Sequence, residues 1–369
     1  MGRTPTRNMN LPTGMRARHR GKVTYYYFDT GSKPRREIPL GSDYVAAVRK
    51  WGQLTLGEGN PGALITFRMV AERYVREVVP TKAAATQEIN LRELNMLYAF
   101  FDDRSEPFES ITPQMIRQFM DWRVVKTVET KRIKNAERVA AGKPAEKVRG
   151  NEGQVPANRE KALFSHIWNY ARGAGMTDKA NPCAGIKGFR EDGRDAYIDD
   201  AVLAAVRDAA EPALRDALDL AYLSGQRPAD VLKLSRGDIK DGALWVEQNK
   251  TGKKVRISIE GELAAVLARV SGQKVMGLKL INDERGQPMS KAMLRGAFDR
   301  ARDAAVLLHP NLAAAIRGFQ FRDLRAKAAT DKEESSGIAA AQDQLGHSTA
   351  AMTAHYVRHR RGKLVTPTK

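Results

Sequence analysis

Apolar positions recur at helical spacing through the first half of the chain. Between Leu64 and Val79, the residues Leu64, Phe67, Ala71, Tyr74, Val75 and Val78 fall on one face and predict a helix. Leu94, Leu97, Tyr98 and Phe101 mark a second. Thr112 is placed as an N-cap, with Pro113 at the first helical position, and the helix that follows buries Ile116, Phe119 and Met120. After a Gly- and Lys-rich interruption near residues 141–154, Leu163, Ile167, Tyr170 and Ala171 mark a fourth helix, stopped by Gly173 and Gly175. Residues 63–185 therefore read as a compact helical domain. Asn181-Pro182 and the polar stretch from Arg190 to Asp195 read as its exit linker.

On either side the pattern changes. The run Lys22-Val23-Thr24-Tyr25-Tyr26-Tyr27-Phe28 is β-branched and aromatic, Asp29-Thr30-Gly31-Ser32 is a turn, and Arg35 to Leu40 returns as a second strand before a short helix through Trp51. The first twenty residues hold two prolines and five arginines without an acid, and are expected to be an irregular arm. Past Asp199, Ala243–Glu247 and Val255–Ile259 alternate with period two around Asn249-Lys250-Thr251-Gly252, a hairpin, and helices follow near residues 291–306, 323–333 and 338–345. The expected fold class is mainly α with small β, in three parts: residues 1–60, residues 63–185 and residues 196–369.

Charge narrows the function. Lys and Arg outnumber Asp and Glu by 62 to 43, a net +19. The excess sits in three places: residues 1–60 and residues 123–172 each carry +7, and residues 355–369 carry +5. A chain neutral elsewhere and basic at three points suits a polyanion touched at several points. Candidate contacts are Arg16, Arg18, Arg20, Lys22, Arg35 and Arg36 in the first segment and Lys131, Arg132, Lys134 and Arg159 in the second. The lone Cys183 excludes an internal disulfide framework, and the six histidines show no zinc-ligand spacing, so no metal is expected. No apolar run reaches membrane-spanning length and Met1 leads into an Arg-rich stretch, so the expected location is cytoplasmic, away from membranes.

Four short stretches of the second half carry candidate chemistry: Leu223-Ser224-Gly225-Gln226-Arg227-Pro228-Ala229-Asp230; Asn249-Lys250-Thr251-Gly252-Lys253; Phe321-Arg322-Asp323-Leu324-Arg325; and Leu345-Gly346-His347 followed nine residues on by Tyr356. Each alone has an ordinary structural explanation, as a surface arginine, a turn, or a glycine-capped helix end. As an ordered set, spanning roughly Asp199 to Arg358, they resemble the catalytic boxes of the tyrosine recombinase (phage integrase) family.

The resemblance implies a basic β-sheet arm domain, a helical (SAM-like) core-binding domain and an α+β catalytic domain, clamped around duplex DNA. It implies site-specific cleavage and rejoining through a 3′-phosphotyrosine on Tyr356, with duplex attachment sites and further copies of the chain in a tetrameric synapse as partners, joined by DNA-bending or directionality factors. Arg227 and Arg325 would clamp the non-bridging phosphate oxygens by bidentate geometry, which lysine does not reproduce. Asp230 would hold the Arg227 fork. Lys250 would protonate the leaving 5′-oxygen, and His347 would donate a hydrogen bond to a non-bridging oxygen. No cofactor is implied, because the phosphotyrosine conserves the bond energy. Where the family's third box most often opens with His, this chain has Arg322, three residues before Arg325 and expected on nearly the same helix face; a guanidinium does not accept the tyrosine proton. The alternatives within the same chemistry are a housekeeping resolvase and a relaxing topoisomerase; outside it stand a catalytically weak DNA-binding accessory protein and an RNA-binding helical protein.

Overall fold

The computed structural model describes residues 11–12, 14–21, 23–29, 34–56, 65–102, 107–272 and 277–358. The arm before residue 11, Lys22, the 30–33 turn, Leu64 and the basic tail at 359–369 lie outside the described residues. The chain divides into two compact units, Met1–Asp192 and Gly193–Lys369. Among the described residues no helix is long and apolar enough to cross a membrane.

The first unit opens with an antiparallel sheet of β1 (Met15–Arg20), β2 (Val23–Asp29) and β3 (Glu37–Gly41), in that order. The strand β1 corrects the expectation of an irregular arm up to residue 20. Both prolines lie before Met15, so every residue of β1 keeps its N–H for the ladder, and β2 offers it a β-branched and aromatic edge. The arginines of β1 also find acids across the sheet: Arg16 pairs with Asp29 at 2.9 Å and Arg18 with Glu37 at 2.5 Å. Helix α1 (Tyr44–Leu56) covers one face, so that Met15, Leu40, Ala47 and Val48 form a small core with Met69.

Helices α2 (Phe67–Glu77), α3 (Ala84–Phe101), α4 (Pro113–Ala140) and α5 (Gln154–Gly173) enclose a second core. The expected cap is present, with Thr112 Oγ1 accepting from Met115 N at 3.3 Å and Pro113 opening the helix. Aromatic rings dominate this core. Phe67 stacks on Phe164 with centroids 5.0 Å apart, and Phe108 on Trp168 at 4.2 Å, pairs worth about 0.5–1.5 kcal/mol each beyond their burial. The buried Glu160 carboxylate is held by Arg123 Nε at 2.8 Å. Cys183 lies in the same core, where burial pushes its thiol up to about 12. The last turns of α4 run beyond the core, and the Gly- and Lys-rich interruption folds back along them. Lys131 Nζ donates to Lys147 O at 2.8 Å and pairs with Glu152, while Asn135 exchanges two hydrogen bonds with the Glu146 backbone.

The second unit is helical around a small sheet. It comprises α6 (Asp200–Asp208), α7 (Pro212–Ser224), the short α8 (Pro228–Val231), strands β4 (Ile239–Lys240), β5 (Ala243–Glu247) and β6 (Lys254–Ser258), then α9 (Gly261–Ser271), α10 (Lys291–Leu308), α11 (Ala313–Gly318), α12 (Asp323–Leu345) and α13 (Ala350–Ala354). The hairpin β5–β6 is present in antiparallel register, and β4 adds a strand that sequence periodicity did not mark. The helices expected near residues 323–333 and 338–345 are the two halves of α12, separated by a kink at Gly337, where φ is 83°. Leu214, Leu218, Ala221 and Leu220 of α7 are fully buried among Leu244, Val266, Phe298 and Leu324. Lys327 of α12 is also fully buried, and stays charged because Asp200, Asp331 and the Tyr197 hydroxyl surround its ammonium at 2.5, 2.9 and 3.2 Å.

Candidate active site

Two helix C-termini meet at Arg325. Helices α7 and α12 both end on a left-handed glycine, Gly225 and Gly346, each at φ 66°. A Cβ on Gly346 would lie 2.9 Å from Gln248 Nε2 and 3.0 Å from Val255 Cγ2, so both the backbone angle and the available space require glycine there. The carbonyls freed at these ends accept from one guanidinium: Arg325 Nη1 donates to Gly225 O at 2.8 Å and Nη2 to Leu345 O at 2.9 Å. The negative ends of the two helices thus hold a buried cation that makes no ion pair with a carboxylate among the described residues. Burial, together with the nearby Arg227 charge, pulls the Arg325 guanidinium down to about 10.

Arg325 Nη2 also faces His347 Nε2 at 3.0 Å, and His347 Nδ1 lies 3.0 Å from Thr353 Oγ1. A guanidinium only donates, so Nε2 accepts and the imidazole proton sits on Nδ1, given to Thr353. Burial, reinforced by Arg325, Arg227 and Lys253, lowers His347 to about 4, which keeps the ring neutral. In this geometry His347 orients Arg325. Its Nε2 carries no proton for a phosphate oxygen, which differs from the donor role expected above, because the lone pair is already taken by the arginine.

Tyr356 follows α13, whose N-cap Thr349 accepts from Met352 N at 3.3 Å. The half-buried phenol ring lies 5.1 Å from the His347 ring, with the Arg325 guanidinium carbon 5.3 Å from its centroid. Directly downstream, Arg358 N donates to Thr330 Oγ1 at 2.9 Å and its guanidinium to Arg194 O at 3.0 Å, fixing the segment onto α12 and onto the start of the unit.

Arg227, the N-cap of α8, is held by a buried amide network. Its Nη1 donates to Gln248 Oε1 at 3.2 Å, and Gln248 Nε2 donates to Gln226 Oε1 and to Leu345 O, both at 2.8 Å. Asp230 stands farther off, with Oδ2 3.8 Å from Arg227 Nη1, while its Oδ1 accepts the Asn249 N–H at 2.9 Å. Asp230 therefore anchors the hairpin turn more than the Arg227 fork, contrary to the simplest reading of their spacing. Lys250 is exposed at that turn and makes no ion pair among the described residues. The hairpin lysine that touches the cluster is Lys253, whose Nζ donates to His347 O at 3.3 Å. Arg322 is exposed at the N-cap of α12 and lines a cavity with Arg227, so it does not share the buried environment of Arg325.

Arg227, Arg325, His347 and Tyr356 are thus brought together within one unit, with Lys250 and Arg322 at the cluster's exposed borders. Gln226, Gln248, Lys253 and Thr353 are the members that sequence reasoning missed. The basic candidates of the first unit differ among themselves. Arg16, Arg18, Arg35, Lys131 and Arg159 are ion-paired with Asp29, Glu37, Glu152 or Glu191, whereas Arg20, Arg132 and Lys134 are exposed and make no ion pair among the described residues. Arg36 is exposed in the segment leading into β3. Among the described residues no group of three or more His, Cys, Asp and Glu is placed to hold a metal ion.

Comparison with known proteins bears on this constellation. The phage integrase family model matches residues 198–362, the stretch that contains every member of the cluster. The chain is 30% identical to the integrase of Enterobacteria phage 434 over 196 residues, covering 50% of this chain and 52% of that protein. It is 32% identical to the integrase of Escherichia phage lambda over 160 residues, covering 41% and 42%. The chain spans about half the length of the curated relatives it matches. In fold it is similar to a crystal structure of a lambda integrase dimer bound to a COC′ core site, with a TM-score of 0.63 at 21% identity over 98% of both chains.

Proposed function

We propose that this chain is a site-specific recombinase of the phage integrase (tyrosine recombinase) family, whose model matches residues 198–362, and that it cuts and rejoins duplex DNA through Tyr356. The observation that carries the reading is the assembly of Tyr356 against Arg325 and His347, with Arg227 one buried amide away.

The Tyr356 phenol gives its proton to solvent water and its oxygen attacks the phosphorus of a phosphodiester, the bond to the 5′-oxygen breaks, and a 3′-phosphotyrosine and a free 5′-hydroxyl result. An unperturbed phenol titrates near pH 10, so the phenolate needs the positive field of Arg325 beside it. Arg227 and Arg325 face the charge that develops on the non-bridging oxygens, preorganised by helix ends and buried amides that do not have to move during the reaction. His347 holds Arg325 in register. Lys250, on the exposed hairpin turn, supplies the proton to the leaving oxygen. Religation is the reverse attack by a 5′-hydroxyl of the exchanged strand, which needs no outside energy source.

Residues 63–185 serve as the core-binding domain and residues 196–369 as the catalytic domain. The sheet within residues 1–60 serves as an arm-type DNA-binding domain, with Arg20 exposed on β1, Arg36 exposed just before β3, and Lys22 a further basic residue of that segment. Arg132 and Lys134, exposed toward the end of α4 and without an ion pair among the described residues, track phosphates. The partners are duplex attachment sites and other copies of the chain in a tetrameric synapse, in the cytoplasm of a host cell whose DNA takes up a phage or genomic island.

The test incubates wild type and Tyr356→Phe with duplexes carrying candidate attachment sites and a 5′-bridging phosphorothiolate, in chelator, followed by a denaturing gel. A protein–DNA adduct with wild type alone supports the proposal. Equal adduct with Tyr356→Phe, or none on a duplex that wild type demonstrably cuts, overturns it.

A further inference from the structure

Next to the catalytic cluster lies a cavity of about 730 Å3 that the chemistry above does not use. Arg227 stands on its border, and Arg322, Lys291 and Arg295 line it, over a floor that includes Phe298 and Phe321. The charge is one-sided. With Arg302, five cations line the cavity against the single carboxylate of Asp299. That carboxylate is engaged mainly by Arg302, at 2.7 Å, and lies 3.9 Å from Arg295, whose side chain is 87% exposed. Arg322 and Lys291 are exposed and make no ion pair among the described residues. Lys291 is also the first residue of α10, behind the N-cap Ser290, with no acid in the first turn, where the helix dipole disfavours a cation. Among the described residues neither cation has an ion-pair partner that would account for its position.

A cationic rim over an apolar floor matches one repeating unit of a nucleic acid backbone, a phosphodiester joined to a sugar, and not a bare inorganic anion. The shared border at Arg227 puts such a unit beside the phosphate under attack. Resting on the duplex-cleaving reading above, we propose that this cavity holds the nucleotide flanking the scissile phosphate, with Arg322, Lys291 and Arg295 neutralising its phosphate. Arg322 then has a function that histidine at its position would not supply: a permanent charge directed at the neighbouring phosphate and not a proton acceptor for Tyr356.

The test separates binding from chemistry by working in a Tyr356→Phe background. Affinity for a mixed-sequence duplex is measured across a salt series for that protein, for the same protein with Lys291→Gln and Arg295→Gln, and for a control with Arg285→Gln and Arg300→Gln, which removes two cations from a different cavity. Neutralised phosphates each contribute about 0.9 to the slope of log affinity against log salt, so the Lys291/Arg295 pair is expected to lower the slope by about 1 and to weaken binding about tenfold, with the control close to the parent. A mononucleotide at millimolar concentration is expected to leave duplex binding in place. A slope unchanged by the Lys291/Arg295 pair, an equal loss in the control, or displacement of the duplex by the mononucleotide overturns the subsite. Its failure is distinguishable from failure of the parent reading: a Tyr356 adduct with an unchanged slope removes the subsite alone, whereas a wild-type chain that forms no adduct on a duplex it cuts removes the recombinase chemistry while the slope still reports on the cavity.

Discussion

Replacing Gln248 with leucine is the sharpest perturbation of the buried network, because the side chain is 1% exposed and every polar atom it carries is used. Its amide nitrogen bridges Gln226 Oε1 and Leu345 O, and its oxygen accepts from Arg227 and from Thr251 Oγ1 at 3.0 Å. Leucine preserves the volume. Leu345 O keeps its bond from Arg325, and Thr251 is exposed and finds water, so the cost falls on Gln226 Oε1 and Arg227. A buried acceptor left without a donor costs about 1–3 kcal/mol, and loss of the bond to the partly exposed Arg227 adds to it; apolar burial of the leucine offsets a part. The expected net loss is about 2–3 kcal/mol, read by urea denaturation. Arg227 freed to shift by about 1 Å is expected to slow cleavage about 10²-fold. Single-turnover cleavage of a nicked duplex at saturating protein reads that rate apart from binding. A Gln248→Leu protein that is as stable as wild type and cuts as fast would refute the claim that this network positions Arg227.

Other perturbations test other parts of the site. Arg322→His is expected to weaken duplex binding but to preserve or raise cleavage at saturating protein and neutral pH, and abolished cleavage in a folded, DNA-bound protein would contradict the alignment of Arg322 with the opening position of the box it resembles. Lys250→Ala is expected to slow cleavage about 10²- to 10⁴-fold on ordinary DNA and to recover on a duplex whose leaving oxygen is replaced by sulfur, since a thiolate leaves without a proton; undiminished cleavage would point to Lys253 as the donor, and loss without recovery would contradict a proton-donor role for Lys250. His347, lowered to about 4 in the folded chain against about 6.5 unfolded, binds its proton more readily when unfolded. Its contribution to stability is therefore complete above about pH 6.5, declines as pH falls toward 4, and is levelled below that. Denaturation at pH 7.5 and pH 5 is expected to show a larger acid loss for wild type than for His347→Gln, and equal losses would place the imidazole in a different environment.

The members of the cluster were legible in the sequence where they rest on short spacings. Arg227, Arg325, His347 and Tyr356 each sit at a turn or helix end that glycine, proline or a cap announces, and the structure assembles them. What was not legible is held by contacts between distant residues. Gln226 meets Gln248 across 22 positions, and Gln248 meets Leu345 across 97. One signal was available, because Gln248 continues the inward register of Leu244 and Val246 on β5, and a polar residue in an inward register implies a buried partner. Asp230 misled because one helical turn of separation from Arg227 suggests a pair, yet the Asn249 N–H is the group in hydrogen-bond reach. The strand β1 escaped because arginines alternating with Met15, Ala17 and His19 read as a charged arm until the acids on β2 and β3 are placed opposite.

The most direct measurement is to digest the trapped adduct and locate the nucleotide by mass spectrometry, while labelling the released DNA end. A single modified peptide is expected, with a 3′-linked nucleotide on the Tyr356 phenol, and a released end bearing a free 5′-hydroxyl or, on the sulfur-substituted duplex, a 5′-thiol. Attachment at any other residue, or release of a 5′-phosphate, would contradict the proposed chemistry.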